Sequence, residues 1–396
     1  MSKTIIIIGA GLAGLSAALQ ATENGCNVKL VSSLPSERAQ SVMAEGGINA
    51  ALNTKDENDS PEEHFTDTIK AACGLADPNA VWGMTQAAPE LVHWLLKLGV
   101  KFNMSGYDDV DLRNFGGQKK KRTAFAQSDT GKQIMTAMID AVRRKEASGM
   151  VERFSHHSFL TLRLCGNICC GCVIRDEYSQ ETVELPGDAV IVATGGMHGL
   201  FGNTTGSLSN TGEVTAELFR LGVPLANGEM IQYHPTTVKC GGKRMLISEA
   251  ARGEGGRLFA MKDGKQWYFM EEKYPELGNL MPRDITAREI WKVSHESEVF
   301  LDMTEISEEI ISNKLSGLAD DCMTYLHKDI RKEPVSVLPG IHYFMGGILV
   351  DEQHRTPIQN LYAAGECCAQ YHGANRLGGN SLLGALYGGR VAAKSA

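Results

Sequence analysis

Residues 4 to 8, Thr-Ile-Ile-Ile-Ile, form an apolar run that enters Gly9-Ala10-Gly11-Leu12-Ala13-Gly14, and an Ala/Leu-rich segment follows to about Glu23. A short continuous run broken by glycine predicts a buried strand, a glycine turn and a helix. A second strand is predicted over Val28 to Val31, at the spacing of a βαβ unit. Two later runs have the same form. Ala189-Val190-Ile191-Val192 leads into Ala193-Thr194-Gly195-Gly196, and Leu361-Tyr362-Ala363-Ala364 leads into Gly365-Glu366. Segments at the start, middle and end of the chain predict one Rossmann-like α/β domain built from discontinuous pieces. Glu57 to Val100 reads as helical, with Val81, Met84, Leu91 and Leu95 at helix-like spacings. The stretch from 228 to 339 is richer in charge and aromatic residues and interrupts the apolar pattern. It is expected to be an inserted α+β capping domain, leaving 1–227 and 340–396 as the Rossmann-like part.

The first glycine cluster has the strand–turn–helix setting in which its spacing binds a dinucleotide. The backbone there can close on a pyrophosphate, whose charge sits at free N–H groups of a helix start. The acidic residue that usually ends the second strand is missing, because the chain reads Val31-Ser32-Ser33. Hydroxyls such as that of Ser32 must hold the ribose, which disfavours a plain NAD enzyme and favours FAD with its longer set of contacts. Glu366, at the end of the third segment, is placed to accept a hydrogen bond from a ribityl hydroxyl.

Composition narrows the picture. Glycine is the outlier, with 43 among 396 residues, where an average chain has about 7%. Basic and acidic side chains number 39 and 47, a formal charge of −8, which gives no footprint for nucleic acid or an anionic membrane surface. No apolar run approaches the ~20 residues that span a bilayer, and the N-terminus has no signal-peptide pattern. Ten cysteines in such a chain predict reduced thiols and a cytoplasmic setting. Cys165, Cys169, Cys170 and Cys172 match neither a paired zinc spacing nor a ferredoxin run, so no metal is expected. They read as a β-hairpin followed by a polar turn at Arg175 to Gln180.

The remaining motifs are Gln232-Tyr233-His234-Pro235-Thr236, Leu246 to Gly256 with Ser248-Glu249-Ala250-Ala251-Arg252, Pro282-Arg283-Asp284, His342-Tyr343-Phe344-Met345-Gly346-Gly347 and His372 to Ser381 with Asn375-Arg376. Singly, each has an ordinary structural explanation; Glu249 and Arg252, three apart, also suit a plain helix salt bridge. In this order, after a flavin signature, they resemble the flavoprotein subunits of fumarate reductase and succinate dehydrogenase, with L-aspartate oxidase as a close relative. The resemblance runs from Gly9 to Arg390.

That resemblance implies a small dicarboxylate substrate, fumarate or succinate. His234, Ser248, His342 and Arg376 correspond to carboxylate-binding residues, and Leu246 and Phe115 to apolar contacts with the carbon chain. Arg283 corresponds to the proton donor, resupplied through Glu249 and Arg252. Cofactor contacts are implied for Gly9, Ala10, Gly11, Leu12, Ala13 and Gly14, for Ser32, Gln40, Ser41, Ala44, Gly46 and Gly47, and for Ala193, Thr194, Gly195 and Glu213. Glu366, Arg376 and the helix start at Asn380, Ser381 and Leu382 complete the set. Aspartate oxidases carry a glutamate where this chain has Phe115, so a substrate without nitrogen is favoured; another unsaturated acid also fits the pocket.

Three departures qualify the resemblance. Gln40 stands where membrane-complex members have the histidine linked to FAD, so noncovalent FAD is expected. Phe344 replaces a small polar residue. The chain ends at Ala396, where family members continue into a C-terminal helical domain. An iron-sulfur or other electron-donor subunit is the implied partner, which would hold the chain peripherally at the inner face of a membrane; Arg122, in the run Lys119-Lys120-Lys121-Arg122, reads as solvated or as part of that docking face. The competing readings are L-aspartate oxidase, a reductase of another unsaturated acid, and a flavin-binding module without turnover.

Overall fold

The isoleucines Ile5 to Ile8 are buried because they form the middle strand of a five-stranded parallel sheet. The computed structural model describes residues 2–106 and 109–396. Across the sheet the strands run Leu361–Ala363, Ala189–Val192, Thr4–Ile8, Asn27–Ser32 and Val151–Ser155. The three apolar runs of the sequence are therefore neighbours in space. Ile5 pairs with Ala189 and Val190 with Leu361, which brings the glycine-rich strand ends to one edge. In open parallel sheets, ligands bind outside the carboxyl ends of the strands.

Gly9 turns out of the sheet at φ +111°, and a Cβ there would stand 2.2 Å from the Ala193 carbonyl oxygen. Helix Leu12–Glu23 follows and packs against the last helix, Asn380–Ser395. A Cβ on Gly14 would lie 1.8 Å from the Gly9 carbonyl oxygen, so this glycine sets the close packing of helix on strand.

The helical stretch after Glu57 is two helices, Pro61–Ala71 and Pro78–Leu98. Each begins on a capping side chain followed by proline: Ser60 accepts from the Glu63 N–H, and Asp77 from those of Asn79 and Ala80. The cysteine segment is a three-stranded antiparallel sheet, His157–Cys165, Ile168–Asp176 and Thr182–Pro186. The polar turn joins its second and third strands, so the expected hairpin gains a strand.

The segment from Ile231 onward builds two smaller antiparallel sheets. One holds Lys243–Leu246, Ile231–Cys240 and Leu338–Phe344, the other Lys265–Trp267, Arg257–Lys262, Val299–Asp302 and Val335–Ser336. Helix Arg283–Val293 packs on the first of these sheets. Ile247, Leu258, Ile290, Leu301 and Leu318 form a core separate from that of the parallel sheet, and Phe115 joins it from the first part of the chain. The boundary drawn at residue 340 falls inside strand Leu338–Phe344, where Ile341 also bridges Thr204.

Arg122 differs from its reading as a solvated or docking residue. It is fully buried; its guanidinium donates to Asp59 at 2.8 and 3.1 Å and forms an ion pair with Asp67, 2.8 Å away. Lys119 and Lys121 are exposed. Among the described residues, no helix is long and apolar enough to cross a membrane.

Candidate active site

A cavity of about 710 Å³ lies between the carboxyl edge of the parallel sheet and the inserted segment, a size within the ~300–1,000 Å³ usual for small-molecule sites. At the sheet end it is lined by Gly9 to Ala13, Ser32, Gln40, Ser41, Ala44, Gly46 and Gly47. Ala193, Thr194, Gly195, Glu213, Glu366, Ser381 and Leu382 continue the lining. Gly14 and Asn380 lie off it.

These walls fit FAD. Helix Leu12–Glu23 starts on Gly11 with no acidic residue in its first turn; Leu12 N–H donates to Ser41 Oγ at 3.3 Å, which leaves the N–H groups that follow free for an anion. Ser32 Oγ is buried without a hydrogen-bond partner where a ribose hydroxyl is needed. The last helix likewise starts on Gly379 with no side-chain cap; its Asn380 N–H donates to the Leu377 carbonyl, and the next two residues, Ser381 and Leu382, line the cavity. Asn380 supports that start from behind: Asn49 Nδ2 donates to its Oδ1 at 2.7 Å, the ring nitrogen Nε2 of His64 lies 2.9 Å from the same oxygen, and its Nδ2 donates to Thr68. Burial holds His64 neutral, with its pKa pushed down to about 3.

The opposite end of the cavity is lined by Phe115, His234, Leu246, Ser248, Glu249, Arg283, His342 and Arg376. His234 comes from strand Ile231–Cys240, His342 from its antiparallel partner Leu338–Phe344, and their rings stand 5.1 Å apart. Burial and the nearby Arg283 push both histidines well below the usual imidazole range, so both are neutral at pH 7. Ser248 caps helix Glu249–Gly253, its side chain accepting from the Ala250 N–H. Arg283 opens helix Arg283–Val293 and approaches Glu249 at 2.6 and 2.8 Å. Arg376 lies over the Tyr343 ring, 4.3 Å from its centroid, and burial beside Arg283 lowers its pKa to about 9. Its Nε is buried and unpartnered, as is Nε2 of His234.

Glu249 is enclosed on all sides. Besides Arg283 it accepts from the Gly116 N–H at 2.9 Å and lies 3.3 Å from Arg252, its neighbour one helical turn on. Burial alone would raise this carboxyl; the two guanidiniums outweigh that and hold it below the ordinary glutamate value. Arg252 does not line the main cavity. It lines a second one of about 290 Å³ together with Asn279 and Glu271, and it donates to the Asn279 carbonyl at 2.5 Å. The row Arg283, Glu249, Arg252 thus runs from one cavity to the other.

Three further groups belong to the site. Gln232 Oε1 accepts from both Arg283, at 3.1 Å, and Arg376, at 3.0 Å, so one amide spaces the two cations. It shares its strand face with His234, two residues on, and that alternation is its signal in the sequence. Thr205 Oγ1 lies 2.7 Å from His342 Nδ1, and His198 lies 3.1 Å from Glu366, which also accepts from the Phe344 N–H. Neither Thr205 nor His198 belongs to a pattern that a sequence alone ties to its partner.

A family model described as an FAD binding domain matches residues 4–382. The chain is 44% identical over 403 residues to the succinate dehydrogenase flavoprotein subunit of Bacillus subtilis (strain 168), covering 100% of itself and 69% of that protein. It is 34% identical to the fumarate reductase flavoprotein subunit of Haemophilus influenzae, over 99% of this chain and 68% of the relative. The L-aspartate oxidase of Streptomyces coelicolor is also 34% identical, over 99% of this chain and 68% of that one. Among solved structures, a point mutant of the E. coli quinol fumarate reductase FrdA superposes with a TM-score of 0.92 at 30% identity, over 100% of this chain and 69% of the other. The chain belongs to the family of FAD-dependent oxidoreductases formed by the flavoprotein subunits of succinate dehydrogenase and fumarate reductase.

Proposed function

We propose that this chain reduces fumarate to succinate, with its electrons delivered by an iron-sulfur or other redox partner. The observation that carries the reading is the charge balance at the substrate end. Within the group linked through Glu249 and Gln232, Arg283, Arg376 and Arg252 carry three positive charges, Glu249 carries one negative, and the adjacent His234 and His342 are neutral. A buried excess of two positive charges calls for a dianion, and a four-carbon dicarboxylate supplies it.

Arg376, with a free Nε, offers two parallel N–H groups to one carboxylate. His234, Ser248 and His342 hold the other by neutral donors, and Phe115 and Leu246 close on the carbon chain. FAD, held by the glycine turn Gly9 to Ala13, by Ser32 and by the helix start at Ser381, would supply a hydride to one alkene carbon. Arg283 donates a proton to the neighbouring carbon, and Glu249, in contact with it, returns that proton from Arg252 and the outer cavity. Burial of these groups keeps water from screening them.

Phe115 separates this reading from L-aspartate oxidation. Its ring is buried against the site where aspartate oxidases place a glutamate, and Glu249 beside it is already engaged by two arginines. The test is anaerobic oxidation of reduced viologen by the FAD-loaded chain. Fumarate should support turnover, and L-aspartate should fail to bleach the flavin. Bleaching by aspartate without fumarate turnover would reverse the assignment.

A further inference from the structure

Far from the flavin cavity, the tip of the cysteine-rich sheet brings two thiols together. Strands His157–Cys165 and Ile168–Asp176 are joined by a short turn at Gly166 and Asn167, and the pairing slips by one residue near the tip. Gly171 stands opposite Arg163 and Cys169 opposite Leu164, which leaves Cys170 on a bulge with no residue facing it. The bulge turns the Cys170 side chain toward Cys165, and the two sulfurs lie 2.7 Å apart. Cys165 is exposed and Cys170 half-buried.

We propose that Cys165 and Cys170 form a vicinal dithiol that closes to a disulfide when it meets a small disulfide oxidant of the glutathione type. A disulfide bond is ~2.05 Å long, so closure asks for sulfur movement of only about 0.7 Å. The exposed Cys165 attacks first: its thiolate takes one sulfur of oxidised glutathione and releases one glutathione thiolate. Cys170 then loses its proton to solvent and attacks Cys165 Sγ, releasing the second glutathione. Two protein thiols are oxidised and one glutathione disulfide is reduced. Because the second thiol is already in contact, the mixed disulfide cannot persist.

The surroundings keep the tip fixed during this step. The Cys169 N–H donates to the Gln359 carbonyl at 2.8 Å, the Gln359 N–H returns to the Asn167 carbonyl at 3.0 Å, and Asn167 Nδ2 reaches Pro357. The bond would therefore close the hairpin tip on itself while these backbone contacts hold it against the loop that feeds strand Leu361–Ala363. Neither cysteine lines the flavin cavity.

The other exposed cysteine, Cys73, has no thiol partner among the described residues and serves as an internal control. The FAD-loaded protein is incubated with oxidised glutathione, quenched with an alkylating agent and mapped by mass spectrometry. The pair should appear as one internally linked species, two hydrogens lighter and unalkylated, while Cys73 carries glutathione. Closure should be independent of protein concentration, and phenylarsine oxide, which bridges adjacent thiols, should block it. Cys170→Ser should trap glutathione on Cys165, and Cys165→Ser should abolish the linked species, each with bound flavin at the parent level. A stable glutathione adduct on Cys165 of the parent protein would overturn the proposal. So would alkylation of both thiols after Cys73 has reacted.

Discussion

Glu249 is the residue on which the buried charges of the site depend. It is buried in direct contact with Arg283 and Arg252, and removing one partner of such an arrangement leaves a bare buried charge, at a cost of about 3–5 kcal/mol. Glu249→Gln should therefore lower the unfolding midpoint as well as turnover, and it is a poor probe of mechanism by itself. Arg283→Gln is a cleaner one, because it keeps an amide able to bond the glutamate. It should retain FAD, judged by the visible spectrum, and lose fumarate turnover by about 10²–10⁴-fold, the range for a lost proton donor. A fully active variant would remove arginine from the reaction. At this scale the sequence is informative where a residue stands in a motif with its chain neighbours. The residues lining the substrate end are legible as motifs; strand alternation marks Gln232 as sharing a face with His234, but not that it spans two arginines from distant segments. Arg122 misleads for the opposite reason: three lysines beside it look solvated, and only the fold reveals Asp59 and Asp67 facing it.

At the scale of elements, the helix start at Asn380 is held by a polar network that carries no charge on its histidine. His64 has an ordinary pKa of 6.5 in the unfolded chain and about 3 in the folded one. Between those values the unfolded chain binds a proton that the folded chain refuses, so stability falls as pH falls through that window and is unaffected above it. One such group costs on the order of 2 kcal/mol by pH 5. His354, pushed down to about 4 by burial, acts in the same direction, while Glu45, raised to about 8, acts in the opposite one. Comparison of a variant with its parent isolates the single contribution. His64→Gln should be less stable than the parent at pH 7.5 and should lose less between pH 7.5 and 5 in urea unfolding; parallel losses would show that His64 already protonates in the fold. The strands and the glycine turn are legible because their residues act locally. The division of residues 57–100 into two helices is also written locally, in Ser60-Pro61 and Asp77-Pro78, but helical spacing on both sides masks it. The slip of pairing near Cys170 is not legible, since register depends on the partner strand.

The whole molecule decides the direction of the reaction, because that depends on how tightly the fold holds oxidised against reduced flavin. Gln40 lines the cavity beside Ser41 and Ala44, at the position where the resemblance implies a histidine bonded to the flavin. A side-chain amide has no nucleophilic nitrogen comparable to imidazole, so the flavin is expected to be held by noncovalent contacts: the glycine turn, Ser32 and the two free helix starts. Acid precipitation should leave the yellow colour in the supernatant. The resemblance implies that a covalent link of that kind raises the flavin's potential and makes it a better oxidant of succinate; an unlinked flavin should instead favour giving its hydride to fumarate. The ratio of fumarate-reducing to succinate-oxidising rates, measured with dyes of matched potential, should exceed one. Flavin retained in the acid pellet would show that another side chain makes the link. Rates that are equal in both directions, with the flavin free, would mean that potential is set by the buried arginines around the site and not by the missing bond. Gln40→His then separates the two causes, since only a flavin whose potential depends on the link should shift its rate ratio toward succinate oxidation once the histidine is bonded.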